Sequence, residues 1–262
     1  MQQNALRKTG RLCNFVIISL VILFLSVPGQ SEPNTKGKGD TGLTVSVGYI
    51  STSGNSETTT GNFKFDYHTK WGHLNFLGYG AYLFTDVTNQ ATGVNSRDTE
   101  RLEAGIKTDY ALREKSSVFT NLSWKKDIPS GIDHNISLAS GYGCTFFDSS
   151  QSKLKGGVGL EGFQEETIVE GSHFRDSVLA VYFQVDYRYS FNKDNTLKFG
   201  NESRMNLSNN EDYRLSSTLS YISTINHTLA LEISYQQQYR NLPVDDKRKS
   251  DTTTTINLVF SF

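Results

Sequence analysis

Thr252-Thr253-Thr254-Thr255-Ile256-Asn257-Leu258-Val259-Phe260-Ser261-Phe262 ends the sequence, and its second half decides the fold. Ile256, Leu258, Phe260 and Phe262 are apolar at every second position. Successive side chains of a β-strand point to opposite faces, so this spacing places all four on one face. A last strand of this kind, finishing on an aromatic residue, is the form that closes a bacterial outer-membrane β-barrel. A terminal Phe alone says little. Its weight comes from the same alternation running back through the chain.

Leu43, Val45, Val47 and Tyr49 alternate with Thr44, Ser46 and Gly48. Leu102, Ala104, Ile106, Thr108, Tyr110 and Leu112 alternate with Arg101, Glu103, Gly105, Lys107, Asp109 and Ala111. The clearest run is Leu179, Val181, Phe183, Val185, Tyr187, Tyr189 and Phe191, interleaved with Ala180, Tyr182, Gln184, Asp186, Arg188 and Ser190. Period two over such lengths gives each strand one apolar and one polar face. Soluble strands run about five or six residues, whereas a tilted membrane strand needs about nine to eleven. Most segments here reach about ten or more, and their polar faces carry full charges that a sandwich core would not tolerate unpaired.

Segments and turns together give about twelve strands, an even number as bacterial barrels require. The expected fold is all-β: a transmembrane antiparallel up-and-down β-barrel over residues 43–262. Short connections at 70–72, 113–117, 148–152, 192–195 and 226–227 face the periplasm. Longer ones at 51–60, 87–98, 127–134, 165–174, 209–212 and 241–250 face outside. Tyr49, Phe84, Trp124, Tyr213 and Tyr239 then fall at the outer strand ends. Tyr67, Tyr110, Tyr142, Phe146, Tyr189, Phe191, Tyr221 and Phe262 fall at the inner ends, giving two aromatic girdles. Two strands fit this scheme less well: residues 73–84 are apolar on both parities, and 197–207 puts Asn201 and Ser203 on the lipid side.

The start of the chain agrees with its end. Arg7, Lys8 and Arg11 precede an apolar run at 15–27, which at about 13 residues has the length of a signal-peptide core. Residues 1–30 read as a signal peptide and the polar, Gly- and Lys-rich 31–42 as a flexible leader. Cys13 leaves with the signal, so Cys144 has no partner for a disulfide. Of 26 basic residues three leave as well, and 23 remain against 27 acidic ones, a net charge of about −4. A nucleic-acid surface would need the opposite balance. Bacterial outer-membrane localisation follows.

Gly48-Tyr49, followed by Thr52-Ser53-Gly54-Asn55-Ser56-Glu57-Thr58, resembles the opening signature of the YdiY-like, salt-induced outer-membrane protein family. Trp124-Lys125-Lys126-Asp127, Gly131-Ile132-Asp133, Gly141-Tyr142-Gly143, Gly157-Val158-Gly159 and Glu165-Glu166 are similar to its middle section. The chain departs from that pattern at His134-Asn135, where an Arg is expected, and at Cys144, where a large aromatic is expected. The resemblance spans residues 43–262 and implies a β-barrel, with a link to envelope or salt stress but no established activity. From backbone chemistry alone, Ser53-Gly54-Asn55-Ser56 is a tight turn.

Twelve strands lie between about eight, where side chains fill the interior, and about sixteen, where an aqueous channel opens. The residues expected to line the lumen are Glu103, Lys107, Asp109, Lys125, Glu161, Asp186, Arg188, Glu202, Arg204 and Glu232. Arg101, Lys155, Lys198, Arg214 and Arg240 share their parity. Opposed charges can orient a small solute in a narrow pore, and the same charges can simply hold a closed barrel together. The outer loops are acidic at Asp86, Asp98, Asp127, Asp133, Glu165, Glu166, Glu170, Glu211, Asp212, Asp245 and Asp246. They suit divalent ions or lipopolysaccharide, but no EF-hand spacing is present. Lys247-Arg248-Lys249 suits lipid phosphates.

A rim hydrolase needs a Ser beside an oriented His. His134 and Ser137 lie three apart on one strand and so face opposite ways. His173 near Ser172 and Asp176 matches no motif. The expectation is therefore a non-enzyme without cofactor or metal: a narrow pore for small polar or cationic solutes, with a closed binding barrel as the alternative. Its partners would be outer-membrane lipid, lipopolysaccharide and the barrel-assembly machinery, which would meet the strand ending in Phe262.

Overall fold

The computed structural model describes residues 41–52, 57–89, 94–244 and 247–262. The expected signal peptide, nearly all of the expected leader, the expected turn at Ser53-Gly54-Asn55-Ser56 and the acids Asp245 and Asp246 lie outside them. Among the described residues, twelve strands close into one antiparallel barrel, each paired with its sequence neighbours and the first with the last. They are β1 (Thr41–Thr52), β2 (Glu57–Trp71), β3 (Leu74–Asn89), β4 (Val94–Arg113), β5 (Ser116–Asp127), β6 (Ile132–Asp148), β7 (Ser152–Val169), β8 (Ser172–Ser190), β9 (Asn195–Asn206), β10 (Tyr213–Thr224), β11 (Leu229–Arg240) and β12 (Ser250–Ser261). One 3-10 turn, Ile128–Ser130, joins β5 to β6.

The alternation maps onto the two faces of the wall. Residues directly opposite in an antiparallel pair share a face. Ile106↔Leu122, Leu122↔Leu138 and Leu138↔Gly162 belong to the outside, where Ile106, Leu122 and Leu138 are exposed apolar side chains. Asn121↔Ala139 and Ala139↔Glu161 belong to the inside, where all three are buried. Both strands that broke the pattern have a physical reason. Leu77, Tyr79, Ala81 and Leu83 of β3 face inward opposite His68, Asp66, Lys64 and Asn62, and the Tyr79 hydroxyl donates to Asn121 at 3.2 Å. On β9 the outward Asn201 donates to Ser217 at 2.8 Å and accepts from Ser203 at 2.8 Å, so these polar groups satisfy one another.

The aromatic ends also meet. Tyr213 stacks on Tyr239 at one end, with ring centres 5.9 Å apart. Tyr189, Phe191 and Tyr221 form a run at the other, with centres 5.0 and 6.4 Å apart. Closure is made by β1 and β12, where Thr44, Val45, Ser46 and Val47 pair with Ser261, Phe260, Val259 and Leu258. Phe262 and Leu43 exchange backbone hydrogen bonds at 2.8 and 3.1 Å.

Two expected loops are strand instead. β7 and β8 continue through residues 165–174 to a two-residue turn at Glu170-Gly171, with φ of 50° and 78°. Positive φ at both positions gives the hairpin turn whose twist matches its strands. β3 and β4 likewise run to Asn89 and from Val94, inside the expected 87–98 loop. Glu165 and Glu166 therefore sit on a strand wall rather than in a free loop.

Candidate functional site

Charged groups converge on the inward face, and they are layered. Nearest the loop end, Asp127 is fully buried between Arg101 Nε and Lys125 Nζ, each 2.9 Å away. Arg101 also donates to Thr253 at 2.9 Å and lies 3.6 Å from Asp251, tying β4 to β12. Lys125 reaches across the lumen to Gln238 Oε1 at 2.8 Å. Beside them Glu165, almost fully buried, accepts from Arg214 at 2.6 Å, Arg240 at 2.8 Å and Asn135 at 3.1 Å. The Arg214 guanidinium lies over the Phe163 ring at 4.7 Å. Burying such carboxylates is tolerable because each has two cations.

The middle layer is a packed waist. Phe119 and Tyr182 are completely buried, with ring centres 5.8 Å apart. Glu161, also buried, binds Arg204 at 2.8 Å, and Arg204 lies 3.9 Å from Glu202. Lys107 donates to Gln184 at 2.7 Å, joining β4 to β8. Room for the Phe119 ring comes from Gly141 and Gly157, where an added Cβ would come within 3 Å of it. Gly141 and Gly159 face each other across β6 and β7. A Cβ on either would meet the partner strand's backbone.

Toward the terminal end lies a cavity of about 510 Å³ lined by Lys153, Lys155, Asp186, Arg188, Lys198 and Ser220, among others. Lys153, Arg188 and Lys198 stand directly opposite one another on β7, β8 and β9. Like charges so placed repel. Lys153 is bound to Asp148, but among the described residues no carboxylate lies within ion-pair distance of Lys155, Arg188 or Lys198. The outer layer is neutralised from within, and the inner cavity is basic.

All ten residues expected to line the lumen have the inward parity. Glu103, Lys107 and Asp109 pair with Lys125, Asn121 and Phe119, and Glu202 and Arg204 pair with Gln184 and Tyr182. Glu232 is opposite Asn257, to which Asn62 also donates at 2.9 Å. Asp127 and Glu165 were expected among the acidic loops. They are interior ion-pair centres, because β5 runs as far as Asp127 and β7 runs past Glu165. Nothing in the local pattern selects Gln238, Phe119 or Tyr182, since a neutral Gln and two aromatic rings are ordinary in any strand.

The hydrolase pairings do not assemble. The Ser137 hydroxyl bonds Ser123 at 2.8 Å inside, while the His134 ring lies on Trp124 outside, centres 5.9 Å apart. His173 bonds Glu166 at 2.8 Å.

A closed wall, apolar outside and charged within, defines the class: a barrel of the membrane-spanning type. The chain matches the family described as "Protein of unknown function, DUF481" over residues 45–262, and it belongs to that family. The membership is compatible with the YdiY-like resemblance, although the family description does not carry that name. No curated protein matches the sequence. Among solved structures, the chain is similar to the COG4313 outer membrane channel from Pseudomonas putida F1, at 12% identity and TM-score 0.49, covering 91% of this chain and 100% of that one. It is also similar to the NanC porin, at 10% identity and TM-score 0.47, covering 84% and 98%. The translocator domain of the autotransporter NalP from Neisseria meningitidis gives 9% identity and TM-score 0.49, covering 98% and 95%. Likeness at this level adds nothing to what the strand order itself establishes.

Proposed function

We propose that this protein is a bacterial outer-membrane barrel forming a narrow channel for small polar solutes, closed at rest by its own side chains. The observation that carries the reading is the layered lumen: a self-neutralised, cross-linked outer layer above a basic open cavity. A wall needed only for stability gains nothing from Arg188 and Lys198 facing each other with no carboxylate at ion-pair distance among the described residues. The apolar belt between two aromatic girdles supports the membrane location, since amphipathic rings sit best at the headgroup level.

The expected cation preference rested on acidic loops. With Asp127 and Glu165 consumed by ion pairs, the basic inner cavity becomes the stronger determinant, and it favours anions. The experiment is the reversal potential of the refolded protein in a planar bilayer under a potassium chloride gradient. Anion preference is expected, moving toward cations in the double variant Arg188→Glu, Lys198→Glu. An unchanged reversal potential in that variant excludes the cavity as the selectivity element.

The alternative, a permanently closed binding barrel, draws on the same Lys125–Gln238 contact. It differs in expecting no current whether or not that contact is removed.

A further inference from the structure

On the outside of the wall, beyond the Trp124 girdle, four groups from three strands converge. Asp133 Oδ2, Glu166 Oε1 and His173 Nδ1 all lie within 4.8 Å of one another. His173 Nδ1 is 2.8 Å from Glu166 and 3.7 Å from Asp133, and His134 Nε2 is 3.5 Å from Asp133. We propose that this cluster is a binding site for a divalent transition-metal cation of the zinc class, held by Asp133, Glu166 and His173.

The backbone builds the site. On β6 the register steps from Ile132↔Thr167 to His134↔Glu166, which leaves Asp133 as an extra residue. Such a bulge re-aims a side chain that strict alternation would send inward. The tight Glu170-Gly171 turn fixes the β7–β8 register, so that His173 returns beside Glu166. Arg175 takes Glu166 Oε2 at 2.7 Å, leaving Oε1 directed at His173. An outer partner of this kind orients a ligating carboxylate.

The Asp133 contacts are spaced for a metal rather than for hydrogen bonds, while His173 and Glu166, hydrogen-bonded at 2.8 Å, must part slightly to ligate together. Asp133 receives its two imidazoles at 3.5 and 3.7 Å, beyond a well-formed hydrogen bond. With metal–ligand bonds of about 2.0–2.2 Å, a tetrahedral site needs donors about 3.3–3.5 Å apart. Mixed imidazole and carboxylate donors select zinc-like ions over calcium, which takes six or more oxygens. Water or His134 would complete the fourth position. The proposal does not depend on whether the lumen conducts.

The test is zinc titration of the refolded full-length barrel, freed of metal by chelator and confirmed folded by its heat-modifiable gel shift. Saturable binding of one Zn²⁺ per chain is expected, weakened at least tenfold in Asp133→Asn and in His173→Ala and unchanged in His227→Ala. Cobalt should give the visible absorption of a tetrahedral site in the wild type and lose it in His173→Ala. Equal zinc affinity in wild type and both site variants, or no saturable binding by folded protein, overturns the site.

Discussion

Lys125 Nζ donates to Gln238 Oε1 at 2.8 Å, and the strands that carry them, β5 and β11, are half-way round the closed ring from each other. The contact therefore spans the lumen. Lys125 is held there by Asp127 at 2.9 Å, which in turn is anchored by Arg101. A single side chain and its counter-ion thus bar the outer opening. The bar belongs to side chains, so the wall can stay intact when it is removed.

Asp127 is the keystone of this outer layer. Asp127→Ala leaves Lys125 without its counter-ion and Arg101 with only Asp251 at 3.6 Å, and losing one partner of a buried ion pair costs about 3–5 kcal/mol. Urea unfolding of the protein in lipid vesicles, followed by tryptophan fluorescence, should show a stability loss of that order. A change within about 0.5 kcal/mol, as at an ordinary surface site, would show that the layer is not structurally coupled.

Glu165 anchors the second outer group. Glu165→Gln removes the charge that Arg214 and Arg240 share and leaves both guanidinium groups inside. The variant should fold less efficiently than wild type in the gel-shift assay. Adding Arg240→Gln should restore part of the yield, because one surplus cation is then removed.

The waist depends on two glycines. Gly159→Val places side-chain atoms on the Ser140 carbonyl and against Gly141. β6 and β7 must then separate beneath Phe119, and the heat-modifiable folded band should be lost or shifted to a lower melting temperature. The same change at Gly162, whose outward position meets nothing nearby, should leave folding at the wild-type level.

Above the girdle, Arg97 grips Asp86 through both carboxylate oxygens at 2.7 and 3.0 Å. Those hydrogen bonds hold the Asp86 carboxyl below its ordinary value of 3.8. A carboxyl lowered by folding contributes stability above its unfolded value and loses it as pH falls through the folded one. The β3–β4 extension should therefore keep this pair near pH 4 and release it only in stronger acid. An NMR titration should place Asp86 below 3.8 in the wild type and nearer 3.8 in Arg97→Gln.

The fold was legible because barrel strands write their two faces into alternate residues: the run 179–191 alone assigns inside and outside along β8. The strand ends were not. Gln164-Glu165-Glu166-Thr167-Ile168-Val169 breaks the alternation, so it reads as loop, yet cross-strand hydrogen bonding with β8 carries it on to the turn. Asp133 shows a second limit. Its outward turn comes from a bulge, which shows only in the pairing of β6 with its neighbours β5 and β7. Lys125 and Gln238 show a third, since a contact across 113 positions depends on ring closure rather than local pattern. Which charges of inward parity neutralise one another depends on height along the barrel axis, which the local pattern does not carry.

The most direct test of a channel barred by Lys125 is single-channel recording in planar bilayers, comparing the wild type with Lys125→Ala. Gel shift should first confirm that both proteins are folded. Small, brief steps are predicted for the wild type, with clearly larger and longer openings once Lys125 no longer reaches Gln238. Silence from both folded proteins would contradict the account and leave a closed barrel.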